Sequence, residues 1–125
     1  MSNKNYDDMS DFEINKLVAG HLHGEEWWHK YSTVLIMRLM PTDSGGMGLR
    51  KAPVDYCHNP LDSWPIIIDN KFSITSWGNK NDFWMVSDCP SWDADNPTAI
   101  NVADKNPLRA AMICFLKIMD ERGHA

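Results

Sequence analysis

The chain has 125 residues, of which 17 are acidic and 12 are basic, so its formal net charge is −5. This length corresponds to one domain, and a hydrophobic content of 43% is enough for a packed core. No apolar stretch reaches the ~18–20 residues that a membrane span requires, and the scattered basic residues do not form the stripe typical of duplex-DNA binders. We therefore predict a soluble single domain with no direct contact to membranes or duplex nucleic acid.

The N-terminal part of the chain predicts a tail followed by a helix. Residues 1–8 are polar and predict a flexible tail, which leaves residues 9–125 as the domain. Ser10 and the glutamate three residues later have the spacing of a capping box, in which the serine hydroxyl accepts a backbone N–H. Apolar residues then recur at helical spacing, and Gly24 is a typical helix end. A helix over residues 11–22 follows.

The next segment predicts a strand and a loop. Residues 32–40 are apolar and β-branched, which favours a strand over a helix, and Pro41 ends it. The glycine-rich run 42–48 predicts a flexible connector. Its three glycines and the basic pair that follows do not have the spacing of a phosphate-binding loop.

A short helix is predicted between residues 61 and 69, with two alternative starts. In the first, Asn59 is the N-cap and the proline after it takes the first helical position. In the second, Asp62 or Ser63 is the N-cap, which would place Pro65 within the first turn. The second start avoids a proline deep in the helix, where it would remove a hydrogen bond and kink the helix.

The C-terminal half predicts a hairpin, a short strand and a long helix. Residues 72–77 and 83–87 alternate and form the hairpin, and residues 99–102 form the short strand. The Asn-Pro pair at 106–107 begins an amphipathic helix that ends near residue 122. The fold class is therefore α+β, with an antiparallel sheet packed against the C-terminal helix and an additional N-terminal helix.

Reactive side chains do not form a recognisable catalytic or metal-binding pattern. Three cysteines, an odd number with no two close in sequence, favour a reducing cytoplasm over a disulfide framework. Adjacent Cys57 and His58 point to opposite sides of an extended chain and cannot bond each other. His21 and His23 lie two apart, whereas helical zinc ligands are four apart. We expect no catalytic residues, no metal, no cofactor and no enzymatic activity.

Tryptophan is the one compositional feature that favours a binding function. Six tryptophans in so small a domain cannot all be buried, and exposed aromatic residues often mark binding surfaces. Arg109 is predicted in the first turn of a helix, where backbone N–H groups also favour anions. The candidate ligand- or partner-binding residues are Tyr56, Trp64, Trp77, Trp84 and Arg109.

Three segments together resemble a known family. Residues 9–19, residues 54–67 (with Asp-Tyr-Cys and Trp-Pro-Ile-Ile) and residues 105–113 (with Asn-Pro-Leu-Arg-Ala-Ala) are similar to the NinX-like proteins of tailed bacteriophages and prophages. The resemblance implies a small accessory phage protein that acts in the bacterial cytoplasm. It implies no chemistry, because the function of the family is unknown.

Two functions from different classes remain open at this point. The first is a non-enzymatic protein that binds a host protein, which the resemblance and the tryptophans favour. The second is a protein that sequesters a small nucleotide-type ligand, with aromatic side chains stacking on the base and Arg50 or Arg109 meeting a phosphate. A homodimer that buries the aromatic residues is compatible with either function.

Overall fold

The computed structural model describes residues 5–76, 82–89 and 98–122. A 3-10 turn at Tyr6–Asp8 comes before the first helix. The elements that follow are α1 (Asp11–His23), β1 (Trp27–Lys30), β2 (Thr33–Pro41), β3 (Met47–Val54), α2 (Pro60–Asn70), β4 (Ser73–Ser76), β5 (Trp84–Ser87), β6 (Asn101–Asp104) and α3 (Pro107–Arg122).

The strands form two antiparallel sheets, with the orders β1-β2-β3 and β4-β5-β6. The predicted α+β class is confirmed, but where we expected one sheet there are two. The second sheet packs on α3 through β5 and β6, as predicted, whereas the first sheet contacts α1 through β1 and β2. Helices α1 and α3 therefore lie between the two sheets.

Helix α3 is the central packing element. Residues 110–116 are all buried, because α3 contacts α1, α2, β5 and β6. Its predicted start is confirmed: Asn106 Oδ1 accepts from the backbone N–H of Leu108 at 2.9 Å and of Arg109 at 3.3 Å. A helix that is apolar on all sides is stable only when neighbours cover it, and here four elements do.

The predicted N-terminal helix is also confirmed. The hydroxyl of Ser10 accepts a hydrogen bond from the backbone N–H of Glu13 at 3.2 Å, as the capping box requires. The helix ends at Gly24, which has a φ of +64° that favours glycine. The buried side of α1, including Ile14 and Val18, joins the main core.

Helix α2 follows the first of its two predicted starts. The Asn59 side chain accepts from the backbone N–H of Leu61 at 3.0 Å, and Pro60 occupies the first helical position. Pro65 therefore lies inside the helix. It lies on the solvent side, so the hydrogen bond that it removes leaves a carbonyl that water can reach.

Two strands of the first sheet were not predicted. β1 has only four residues and no apolar alternation, and β3 contains a glycine, two basic residues and a proline. The predicted loop 42–48 is shorter than expected, because β3 already begins at Met47. The turn closes through Thr42, which donates its backbone N–H to the Gly46 carbonyl at 2.8 Å, while Gly45 takes a φ of +92°.

The second sheet agrees with its predicted strands. β4 and β5 pair antiparallel, as the predicted hairpin requires, with Ile74 opposite Val86, and β6 begins two residues later than predicted. Residues 77–81, which include most of the predicted hairpin turn at 78–82, lie outside the described residues, as does Gly123 after α3.

The N-terminal segment differs from the flexible tail that we expected. Residues 6–8 form the 3-10 turn, and Tyr6 is buried in the main core. The Tyr6 hydroxyl donates to the buried carboxylate of Asp120 near the end of α3. Residues 1–4 lie outside the described residues.

Candidate interaction surface

Helix α2 exposes an apolar stripe to solvent. Leu61, Trp64 and Ile68 are 82%, 54% and 53% exposed, and Pro65 is exposed beside them. Residues three and four apart share one helix face, so these four side chains form one strip, which we call the α2 surface. The opposite side of the helix is already buried through Ser63, Ile66 and Ile67. The apolar residues of the α2 surface are therefore not needed to attach α2 to the domain.

A groove runs beside the α2 surface and separates α2 from α1 and β2. Its apolar lining comes from Leu22, Ile36, Leu61, Pro65 and Ile66, and its cavity volume is about 280 Å³. The groove is open to solvent along its rim, where Leu22 and Leu61 are exposed, whereas Ile36 and Ile66 in its floor are buried. An apolar side chain from another molecule could enter between these rim residues.

The groove also carries a small polar set. Arg38 forms an ion pair with Asp62, whose second oxygen accepts from the backbone N–H of Asp55 at 2.9 Å. Asp69 lies at the exposed end of the lining, and no ion pair to it is formed by the residues that the structure describes. The lining contains two aspartates and one arginine, so carboxylates outnumber guanidinium groups in the groove. The arrangement suits a cationic or apolar group better than an anion.

Tyr56 closes the floor of the groove. Its hydroxyl lies 3.4 Å from His23 Nε2, and burial together with the nearby Asp62 carboxylate raises the pKa of Tyr56 to about 12, against the opposing effect of Arg38. The phenol therefore stays neutral at physiological pH. The Tyr56 ring is buried, so it supports the groove and does not offer a face on which a base could stack.

Arg109 lies in a different place, where the N-terminal segment meets α3. Its side chain is 11% exposed and forms ion pairs with Asp11 at 2.5 Å and with Asp104 at 3.3 Å. It also donates to the backbone carbonyls of residues 6, 7 and 9. We call this cluster the Arg109 junction. Burial acts to lower the pKa of the guanidinium, but the hydrogen bond and charge of Asp11, with Asp104, outweigh burial and raise the pKa.

Cys57 and His58 border the Arg109 junction and do not form a dyad. The Cys57 thiol is buried and donates to the Asp11 carbonyl at 3.9 Å; burial raises its pKa well above the ordinary value, which keeps the thiol protonated and unreactive. His58 is exposed and its ring nitrogens lie 3.1 Å from an Asp11 oxygen and 3.0 Å from an Asp55 oxygen. Both residues tie the turn before α2 to α1.

The structure distributes the predicted site residues over separate regions. Trp64 belongs to the α2 surface, and Tyr56 lies in the floor of the adjacent groove. Trp84 is partly exposed on β5 of the second sheet. Arg109 belongs to the junction, where its donors are already used, so a phosphate would have to displace carboxylates and carbonyls. Trp77 lies outside the described residues.

Three residues of this region were not singled out from the sequence. Leu61 and Ile68 lie in the predicted helix 61–69 but were not named as binding residues, although their spacing with Trp64 was a signal for a second apolar face. Arg38 was part of a predicted strand, and nothing in the sequence indicated that Asp62 is its partner. Among the described residues, no group of three or more His, Cys, Asp or Glu side chains is placed to hold a metal ion.

Residues 5–119 of the chain match the protein family described as Bacteriophage P22, NinX. The match covers most of the chain, and the chain therefore belongs to this family of phage accessory proteins. No curated protein and no solved structure matches it. None of the helices in the part of the chain that the structure describes has the length and apolar character needed to cross a bilayer.

Proposed function

We propose that this phage accessory protein acts in the bacterial cytoplasm without catalysis, by binding a host protein through the α2 surface. One observation carries the proposal: α2 exposes Leu61, Trp64 and Ile68 at helical spacing although its other face already attaches it to the core. A helix that is apolar on both sides is normally covered on both. Burying a Leu or Ile side chain contributes about 1.5–3 kcal/mol, so a partner that covers this strip would bind favourably.

The groove indicates the chemistry of that partner. Its apolar rim accepts an aliphatic or aromatic side chain, and the exposed Asp69 carboxylate at its end favours a lysine or arginine. The partner segment is therefore apolar with a basic residue. Trp64 is the expected central contact, since tryptophan is enriched among the residues that dominate interface energies.

Affinity capture with matched variants tests the proposal. Full-length protein is immobilised as wild type, as the double variant Leu61→Lys/Trp64→Ala, and as the control Tyr31→Ala, which changes an exposed residue in the turn between β1 and β2. A host protein that binds through the α2 surface is retained by the wild type and by the control but is lost from the double variant. The retained protein is then purified for titration calorimetry.

The calorimetric result has a definite expected size. Truncation of a central tryptophan costs about 2 kcal/mol or more, which corresponds to a roughly 30-fold weaker Kd. Changing the basic residue of the partner to glutamate should weaken binding, and Asp69→Lys should restore part of the lost affinity. The proposal fails when every retained protein binds the double variant as tightly as the wild type. It also fails when sedimentation shows that a second copy of the chain covers the α2 surface.

The alternative function, sequestration of a small nucleotide-type ligand, has less support at the groove. Its volume is at the lower end for ligand sites, its carboxylates outnumber its guanidinium groups, and Tyr56 is buried. A thermal-shift screen with nucleotides and cyclic nucleotides distinguishes the two functions. A ligand present at 100 times its Kd stabilises by about 2.7 kcal/mol, so a clear shift with one nucleotide class would favour this alternative.

A further inference from the structure

The first sheet has an outer face opposite to the core. Cross-strand partners in an antiparallel pair share a face. Ile36 and its partner Ala52 are buried, so their face is the inner one. The residues that alternate with them form the outer sheet face, which consists of the odd-numbered residues of β2 and β3 together with Trp28 and Lys30 of β1.

The far half of the outer sheet face is apolar and exposed. Leu39 lies directly opposite Leu49, and the two are 66% and 65% exposed. Met47 beside them is 61% exposed, and Met37, which is 38% exposed, extends this apolar row toward the end of β1. Pairing with β1 ends at Ile36, so β2 and β3 continue beyond it as a two-stranded ribbon. A cluster of this kind is typical of a binding surface.

The charge on the outer sheet face is opposite to that of the whole chain. Its strand residues include Lys30 and Lys51 and no aspartate or glutamate, whereas the protein carries a net charge of −5. Lys51 is held with its ammonium group 4.3 Å from the centre of the Trp28 ring, which places a positive charge beside the apolar ribbon. A net-negative chain with a locally positive, apolar face is complementary to an acidic, apolar ligand.

We infer that the outer sheet face is a second binding surface and that its occupant is an acidic, apolar segment of another protein. Apolar side chains of the segment cover Leu39, Leu49 and Met47, and its carboxylates meet Lys51 and Lys30. This surface does not depend on the α2 surface, which favours a basic segment. Two surfaces of opposite preference would let the protein hold two different partner segments at once.

The observations favour this occupant over three others. Single-stranded nucleic acid needs several stacking aromatic rings and a basic groove, but the strand residues of this face supply one tryptophan and two lysines. An anionic bilayer is attracted by larger basic clusters. A second copy packed face to face would bring like charges together, because the lysines of the two faces would meet and both molecules are net negative.

Selection from a library of random 12-residue peptides tests the inference with full-length protein. Peptides are selected on the wild type, on Trp64→Ala, on Leu39→Ser/Leu49→Ser and on Lys51→Glu, with melting curves to verify that each variant is folded. Trp64→Ala removes the centre of the α2 surface and leaves the outer sheet face unchanged. We expect Trp64→Ala to keep, and Leu39→Ser/Leu49→Ser to lose, peptides that combine Asp or Glu with apolar residues. A synthetic enriched peptide should bind Leu39→Ser/Leu49→Ser at least 10-fold more weakly and Lys51→Glu about 3- to 10-fold more weakly, with affinity that falls as salt is raised.

Other outcomes overturn the inference. No enrichment on Trp64→Ala, peptides enriched on Trp64→Ala without an acidic excess, or equal affinity of such a peptide for the wild type and the double serine variant would each contradict it. A wild-type dimer in sedimentation that becomes monomeric in the double serine variant would assign the face to a second copy. Co-sedimentation with phosphatidylglycerol vesicles that is lost in Lys51→Glu would assign it to lipid. Because peptides that need Trp64 are absent from the Trp64→Ala selection, these results do not depend on the α2 surface.

Discussion

The Arg109 junction and the α2 surface have similar local sequences, but their central residues differ in exposure. Each lies at a helix that starts with an Asn-Pro pair, and each contains a residue that the sequence analysis placed in one common site. At the junction, Arg109 is matched to two carboxylates and three carbonyls and is nearly buried. On the α2 surface, Trp64 and its neighbours are exposed. The comparison shows that ion pairs and hydrogen bonds within the fold occupy the donors of Arg109, whereas the Trp64 side chain has more than half of its surface exposed.

The largest expected effect comes from Arg109→Met, which removes the centre of the junction. The change leaves Asp11 and Asp104 without their cation and the three carbonyls without this donor. Breaking a buried ion pair costs about 3–5 kcal/mol, and the partial exposure of both aspartates reduces this to about 2–4 kcal/mol. Urea unfolding measures the loss. The control Arg50→Met changes an exposed arginine and should shift the free energy of unfolding by less than about 0.5 kcal/mol.

The next effect concerns the groove floor and appears only at alkaline pH. Because the pKa of Tyr56 is raised from 10.0 to about 12, the folded state holds a proton there that the unfolded chain releases above pH 10. Stability is therefore complete below pH 10 and falls by about 1.4 kcal/mol per unit between pH 10 and 12. Over this range the free energy of unfolding of the wild type should fall relative to that of Tyr56→Phe. Parallel curves would show that Tyr56 ionises without penalty.

The two helix caps give a smaller and more direct comparison. Asn106 caps α3 and also donates to the Cys57 carbonyl at 2.6 Å, whereas the Asn59 side chain caps α2 through one hydrogen bond to Leu61. Losing a cap costs about 0.5–2 kcal/mol. Thermal unfolding should show a larger loss for Asn106→Ala than for Asn59→Ala, since the first also unties the turn before α2. Equal losses would mean that neither the bond to Cys57 nor the second cap bond, from the Arg109 N–H, adds to stability.

The smallest effect on stability is expected at the α2 surface itself. Trp64→Ala changes a side chain that is more than half exposed, so the free energy of unfolding should change by less than about 0.5 kcal/mol. Urea unfolding of Trp64→Ala and Arg109→Met side by side therefore compares the smallest and the largest expected losses in the free energy of unfolding. A loss above about 2 kcal/mol for Trp64→Ala would show that this tryptophan supports the fold and would remove the reason to assign it to binding.

The sequence predicted the helices well because their signals are local. The Ser10 and Asn106 caps, the proline after each asparagine and the Gly24 end depend only on neighbouring residues. The choice between the two starts of α2 could not be made, because the cost of a proline inside a helix depends on whether water can reach the carbonyl that it leaves without a hydrogen bond. That exposure depends on the packing of the rest of the chain.

The unpredicted parts depend on contacts between distant segments. β3 has only two buried residues. It is a strand because it pairs with β2, and its own sequence pattern does not indicate this. Arg109 meets Asp11 across 98 positions, and Tyr6 meets Asp120 across 114; no local pattern reveals such pairs. Of the predicted site residues, Tyr56 lies in the floor of the groove and Trp64 on the adjacent α2 surface, whereas the ion pair between Arg38 and Asp62 was not predicted.

Site-specific photo-cross-linking in host cells tests the central claim most directly. A benzoylphenylalanine is placed at position 64 of the α2 surface or, as a control, at Tyr31, which is 88% exposed in the turn between β1 and β2. We predict one discrete cross-linked protein from position 64, lost when Leu61→Lys is added, and none from position 31. Identical products from both positions, or no product from position 64 in cells that contain the phage host's proteins, would contradict the assignment of binding to the α2 surface.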